Sequence, residues 1–252
     1  MLAVAPLVFP QIQLQEAVVM ISSSPVFCAI DTPDVATALS LASKLEGLVG
    51  GLKLGLEFFM ANGPEGYARI AETGMPVFLD VKLHDIPNTV KGAVSSLLPL
   101  KPAFITVHAS GGAAMMRAAA DAVAKGGADR PKLLGVTVLT SLDASDLKEL
   151  GQDAELPQHV KRLALLAKAN GLDGVVCSPA EIAMLREACG KDFVLMVPGI
   201  RPEWAAANDQ KRVTTPREAV QAGATHLVIG RPITSSSDPA AAAKRIMEEI
   251  GR

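Results

Sequence analysis

Asp80, Lys82 and Asp85 lie close together in the stretch Phe78-Leu-Asp-Val-Lys-Leu-His-Asp-Ile-Pro-Asn-Thr89, and their types and spacing suit charge-based chemistry. The first half of this stretch alternates as a strand does. Leu79, Val81 and Leu83 fall on one face, and Asp80, Lys82 and His84 on the other. Ionisable side chains in a row on one strand face are costly to bury unless they pair or do chemistry. A solvent-facing strand with a surface ion pair would show the same alternation. Here the opposite face is apolar, and the flanking units read as a parallel barrel, whose strands are covered on both sides. The pattern predicts a catalytic charge cluster.

Lys53, from an earlier apolar run, extends the set to an alternating acid–base chain of Lys53, Asp80, Lys82 and Asp85. Neighbouring carboxylates favour the ammonium form of each lysine. Fixed cations beside fixed anions can stabilise a carbanion and then protonate it. Two aspartates near a phosphate site also resemble a magnesium pocket, although an ammonium at Lys82 competes for that space. A lysine in an apolar barrel can instead form a Schiff base, which the aspartate neighbours disfavour by keeping the amine protonated.

The elements that must position these residues recur along the chain. Strand-like runs read at Val26–Asp31, Gly51–Leu56, Val77–Lys82, Phe104–His108, Leu133–Thr140, Gly174–Cys177, Val194–Val197 and His226–Ile229. Helical patterns read at 34–46, 58–73, 88–98, 112–125, 157–170, 179–189, 215–222 and 239–250. Thr32-Pro33-Asp34, Ser178-Pro179 and Thr215-Pro216 are helix-start signals. Eight strand–helix units in 252 residues predict an α/β fold, a single-domain (β/α)₈ TIM barrel. A doubly wound open sheet is the weaker alternative, because no GxGxxG follows the first strand.

In such a barrel, function gathers at the carboxyl ends of the strands. Asp31, Lys53, Asp80 with Lys82, Thr140-Ser141, Pro198–Arg201 and Gly230-Arg231 all map there. Gly230 and Arg231, after the eighth strand, read as an anion site: glycine admits close backbone N–H groups and arginine offers a planar donor fork. An arginine in a surface loop would look the same in this tripeptide alone. The long polar connection 198–216 reads as a lid, with Arg201 and Gln210 placed to fold over a bound phosphate.

Composition narrows the class. A formal net charge of -2 exerts no global pull on nucleic acid or anionic membrane, so an anionic ligand must be held locally. Three scattered cysteines without CxxC spacing predict reduced, buried thiols in a cytoplasmic protein. The four histidines lack metal-ligand spacing, and no metal or cofactor is expected. Leu2–Pro10 is apolar but short and without a basic flank, a poor secretory signal, and no apolar run is long enough to span a membrane. Residues 1–22 are expected to be a dispensable extension, with residues 23–252 forming the catalytic barrel. A chain starting at Met20 should fold and turn over; loss of either property refutes the expectation.

The stretch Phe78–Thr89 contains the complete pattern Asp-x-Lys-x-x-Asp-Ile-x-x-Thr, and with it the chain closely resembles the orotidine 5'-monophosphate decarboxylase family. Ala29-Ile-Asp31, Gly51-Leu-Lys-Leu-Gly55, Val136-Thr-Val-Leu-Thr-Ser141, Val197-Pro-Gly-Ile-Arg201 and Ile229-Gly-Arg231 match in the family's order. The resemblance covers residues 25 to about 250. It implies decarboxylation of orotidine 5'-monophosphate to UMP and CO₂, the last step of de novo UMP synthesis, without a cofactor. Lys82 would protonate C6 of the pyrimidine, Asp80 would face the substrate carboxylate, and Lys53 and Asp85 would complete the charge network. Asp31 and Lys53 would hold ribose hydroxyls, Thr140 and Pro198 would line the pyrimidine pocket, and Arg201, Gln210, Gly230 and Arg231 would bind the phosphate. The resemblance further implies a homodimer in which Asp85 and Thr89 reach the partner's site. The rivals are a sister-barrel sugar-phosphate decarboxylase or aldol-type synthase using Mg²⁺, and a non-catalytic phosphate-ligand sensor.

Overall fold

The computed structural model describes residues 24–152, 155–205 and 214–251. The expectation for residues 1–22 therefore lies outside the described residues. Eight parallel strands close into a barrel in sequence order: β1 (Val26–Ile30), β2 (Gly51–Gly55), β3 (Val77–Leu83), β4 (Phe104–His108), β5 (Lys132–Val136), β6 (Gly174–Val176), β7 (Val194–Val197) and β8 (His226–Ile229). The barrel closes where β8 pairs with β1, Phe27 opposite Val228. The helices are α1 (Val35–Leu45), α2 (Leu56–Ala71), α3 (Pro87–Leu97), α4 (Gly112–Ala124), α5 (Ala144–Glu149), α6 (Leu156–Ala169), α7 (Ile182–Cys189), α8 (Pro216–Gln221), α9 (Arg231–Thr234) and α10 (Pro239–Ile250). This is the (β/α)₈ barrel that the repeated units predict.

Alternation along each strand sorts the core into two layers. Leu52, Leu54, Leu79, Ile105, Val107 and Leu195 face the helices. Phe27, Phe78, Phe104, Leu134, Met196 and Val228 fill the lumen. Phe27 meets Phe104 edge-on at 5.4 Å, a favoured aromatic arrangement. A Cβ at Gly51 would overlap the Phe27 ring, so only glycine lets this lumen floor close.

His226 completes the floor, its ring 5.2 Å from Phe104 and 5.4 Å from Phe27. Burial first, and the nearby Lys132 second, push its imidazole down to about 4. The unfolded chain, with an ordinary histidine near 6.5, binds the proton more readily between these values. Neutral His226 therefore favours the fold fully above about pH 6.5, and that contribution is lost as the pH falls towards 4. Its size is on the order of 3 kcal/mol. In His226→Leu the thermal midpoint should fall less than in wild type between about pH 7 and pH 4; parallel pH profiles would count against this assignment.

The helix starts form as their sequences require. The Asp34 carboxylate accepts the Thr37 N–H at 2.7 Å at the start of α1, and Thr215 and Glu218 form a capping box at α8. Four details depart from expectation. Strand five, expected to reach Thr140, ends at Val136, because β6 stops at Val176 and offers no further ladder. Thr137 instead turns its hydroxyl to the Val176 carbonyl, 3.0 Å away. The short α5, capped by Asp143, and the single-turn α9 carry too little periodicity to be read in advance. Helix α2 is kinked at Gly63, where φ is 59°, just before Pro64.

The fourth departure concerns β3 and shapes the site. Its pairing with β4 jumps from Leu79 opposite Ile105 to Leu83 opposite Val107. Lys82 sits in the left-handed region at φ 48°, unusual for a residue with a side chain. This bulge breaks the strict alternation of β3, and His84 falls just beyond the end of the strand.

Candidate active site

At the carboxyl ends of β1, β2 and β3, four side chains form one ladder of alternating charge. Lys53 Nζ lies 3.2 Å from Asp31 Oδ1 and 4.0 Å from Asp80 Oδ2. Lys82 Nζ lies 2.6 Å from the same Asp80 Oδ2. The Lys53 and Asp80 side chains are only 12% and 11% exposed, against 63% for Asp31, so the ladder runs from solvent into the lumen. Buried carboxylates and ammoniums are tolerated here because each has an opposite charge within reach. A Cβ at Gly55 would stand 3.0 Å from Lys53 Nζ, so glycine leaves room for this ammonium.

Lys53, Asp80 and Lys82 of the ladder form one wall of a cavity of about 220 Å³, whose other walls include Val136, Val176, Val228, Thr140 and Pro198. A charged wall thus confronts an apolar one. Ion pairing is stronger in such a setting than in water. Cys177 also touches the cavity, but burial, seconded by Glu181, pushes its thiol far up. It is therefore a thiol rather than a nucleophilic thiolate at neutral pH. All three cysteines are free and buried.

The remaining expected residues fall into three groups. Thr140 and Pro198 line the cavity. Asp85 and Thr89 do not join the ladder of their own chain. Both are exposed, and the Asp85 carboxylate accepts the adjacent Ile86 N–H at 2.7 Å. The acid–base chain expected from spacing thus ends in Asp31 rather than Asp85, because the chain turns out of the barrel after Leu83. Gly230 lies close to β1, where a Cβ would come 3.3 Å from that of Ala29, and Arg231 opens α9 beside it with an exposed side chain. Arg201 is buried; its guanidinium donates to the Ile200 carbonyl and its amide to the Thr214 carbonyl, which ties the two ends of the 198–216 connection. Gln210 lies outside the described residues.

Two neighbours of the ladder were not anticipated. Thr106, fully buried on β4, hydrogen-bonds to Asp80. Alternation within Phe104–His108 places Thr106 on the lumen face, a hydroxyl among apolar residues that could have been noticed. His108, at the end of β4, has its ring 5.3 Å from that of His84. Burial, then His84 and Lys82, lower its pKa against the opposing pull of Asp80, which favours the neutral ring. Among the described residues, no group of three or more His, Cys, Asp or Glu gathers to hold a metal ion, and no helix is long and apolar enough to cross a membrane.

Residues 24–246 match the model of the orotidine 5'-phosphate decarboxylase / HUMPS family. An orotidine 5'-phosphate decarboxylase of Paramagnetospirillum magneticum is 53% identical, over 90% of this chain and 99% of that protein. One of Moorella thermoacetica is 48% identical, over 94% of this chain and 96% of its own length. Among solved structures, an orotidine 5'-phosphate decarboxylase of Lactobacillus acidophilus superposes with a TM-score of 0.80 at 38% identity, covering 91% of this chain and all of that one. The barrel, the order of its motifs and these likenesses together establish that the chain belongs to the orotidine 5'-phosphate decarboxylase family.

Proposed function

We propose that this chain decarboxylates orotidine 5'-monophosphate to UMP and CO₂, the final step of de novo pyrimidine nucleotide synthesis. The observation that carries the reading is the ladder Asp31–Lys53–Asp80–Lys82, whose last three members face a largely apolar cavity at the barrel mouth. The bond from C6 to the carboxylate breaks, CO₂ departs, and the electron pair stays on C6. No adjacent carbonyl delocalises that pair, so fixed positive charge must stabilise it. The Lys82 ammonium lies beside the position where this charge develops and transfers its proton to C6. Asp80 faces the substrate carboxylate and holds Lys82 and Lys53 in place before substrate arrives. The reaction is redox-neutral and needs one proton, which this chain's own lysine supplies.

Further roles follow the family resemblance. Asp31 and Lys53 hold ribose hydroxyls, while Thr140 and Pro198 flank the pyrimidine. Gly230 and Arg231 hold the phosphate, together with Arg201 and Gln210. Phosphate contacts remote from C6 help hold the reacting carboxylate against Asp80. The protein acts as a homodimer in which Asp85 and Thr89 complete the partner's site. What supports this arrangement is that Asp85 is exposed and unengaged with its own ladder, next to Ile86, a large apolar residue left 67% exposed.

The test is to follow the ultraviolet absorbance of orotidine 5'-monophosphate with purified protein in metal-free buffer containing excess EDTA. Full turnover is expected. No turnover in any buffer would leave only a ligand sensor. Turnover abolished by EDTA and restored by Mg²⁺ would favour a sister barrel enzyme, contrary to the place Lys53 occupies between Asp31 and Asp80.

A further inference from the structure

Thr106 sits opposite the bulge of β3, between the paired positions Ile105 and Val107 of β4. Over the same interval β3 carries Asp80, Val81 and Lys82, so three residues face one. Such a bulge interrupts the backbone ladder and leaves groups that need another partner. The Thr106 hydroxyl serves two of them. Its Oγ1 accepts the Lys82 backbone N–H at 2.9 Å and lies 2.9 Å from Asp80 Oδ1. A hydroxyl has one proton, an amide N–H can only donate, and an ionised carboxylate can only accept. The direction is therefore fixed: Lys82 N–H donates to Thr106, and Thr106 donates to Asp80. With Oδ1 held by Thr106, Asp80 turns Oδ2 towards both ammoniums, Lys82 at 2.6 Å and Lys53 at 4.0 Å. Thr106 is fully buried, so no water competes for these bonds.

We infer that Thr106 is the positioning residue of this active site: one hydroxyl holds both the backbone of Lys82 and the carboxylate of Asp80. It touches neither substrate nor the reacting carbon, and acts only through these two groups. The inference rests on the decarboxylase reading of Lys82 and Asp80. Lys82 adopts a left-handed conformation disfavoured for a side-chain-bearing residue, and its N–H bond to Thr106 opposes relaxation to an ordinary strand. An ordinary strand would move the ammonium relative to C6, and small misplacements of a reacting group are expensive in rate.

The experiment compares Thr106→Val, of equal shape but without the hydroxyl, with Thr106→Ser, which keeps it. Thr106→Val should lower kcat about 10- to 100-fold while KM stays within about threefold, since the remote phosphate and ribose contacts remain. Thr106→Ser should recover kcat to within about threefold of wild type. A purely structural role would not split kcat from KM or be rescued by serine. Should Thr106→Val not fold, Thr106→Cys, a weak donor of similar size, takes its place with the same expected loss. Wild-type kcat in the folded Val or Cys variant overturns the inference, as does an equal loss in Val and Ser. Lys82→Ala run alongside separates the two levels. If Lys82→Ala is inactive and Thr106→Val is unimpaired, only the Thr106 inference fails; if Lys82→Ala is active, the decarboxylase site itself has been misread.

Discussion

Lys82→Ala should turn over at least about a thousandfold more slowly than wild type while the barrel stays folded. The substitution removes the proton donor and the cation nearest the developing carbanion together. Protein stability should suffer far less, because Asp80 keeps Thr106 at 2.9 Å and Lys53 at 4.0 Å as partners. Steady-state kinetics with a thermal melt test both halves. A kcat within about tenfold of wild type would remove Lys82 from the chemistry. Loss of the fold would show instead that the ladder is chiefly structural.

Equimolar Lys82→Ala and Asp85→Ala chains, each inactive alone, should regain activity once their subunits exchange. If Asp85 is lent across a two-fold interface, a heterodimer contains one site with both residues and one with neither. Random exchange makes half the dimers heterodimers, so roughly a quarter of the wild-type sites return. The expected rise from near zero is large and comes with no change in either chain. Exchange must be shown independently, for example by differently tagged chains recovered together. Proven exchange without activity would assign Asp85 to its own protomer or to no site at all. The exposed setting of Asp85 and its local bond to the Ile86 N–H speak for the shared site.

Much of the molecule was legible in the order of its residues. Apolar runs at Val26, Gly51, Val77 and Phe104 begin β1 to β4, and Asp34 and Thr215 cap helices where expected. These features are local: strand alternation and capping depend on neighbours a few residues away. The pairing of Asp80 with Lys82 was also legible, since a single residue, Val81, separates them on one strand. Thr140 and Pro198 were readable as cavity residues because loops after the strands of a barrel share one mouth.

Other parts depended on closure of the barrel. Lys53 and Thr106 are far from Asp80 in sequence and meet it, and Asp31 meets Lys53, only because β1, β2, β3 and β4 lie side by side. Asp85 looked like a member of the same chain by spacing, yet the strand bulges at Lys82 and the backbone leaves the lumen before reaching it. Strand five looked longer than it is, because its length is set by the neighbour that pairs with it rather than by its own propensity.

The sequence by itself thus determined eight alternating units, a barrel and the identity of the charged groups at its rim. Tertiary structure alone decided which of those charges touch: strand register, one bulge and a buried hydroxyl set ångström-scale distances. The physical reason is range, since periodicity is written in adjacent side chains, whereas electrostatic partners are chosen by which strands the closed sheet brings together.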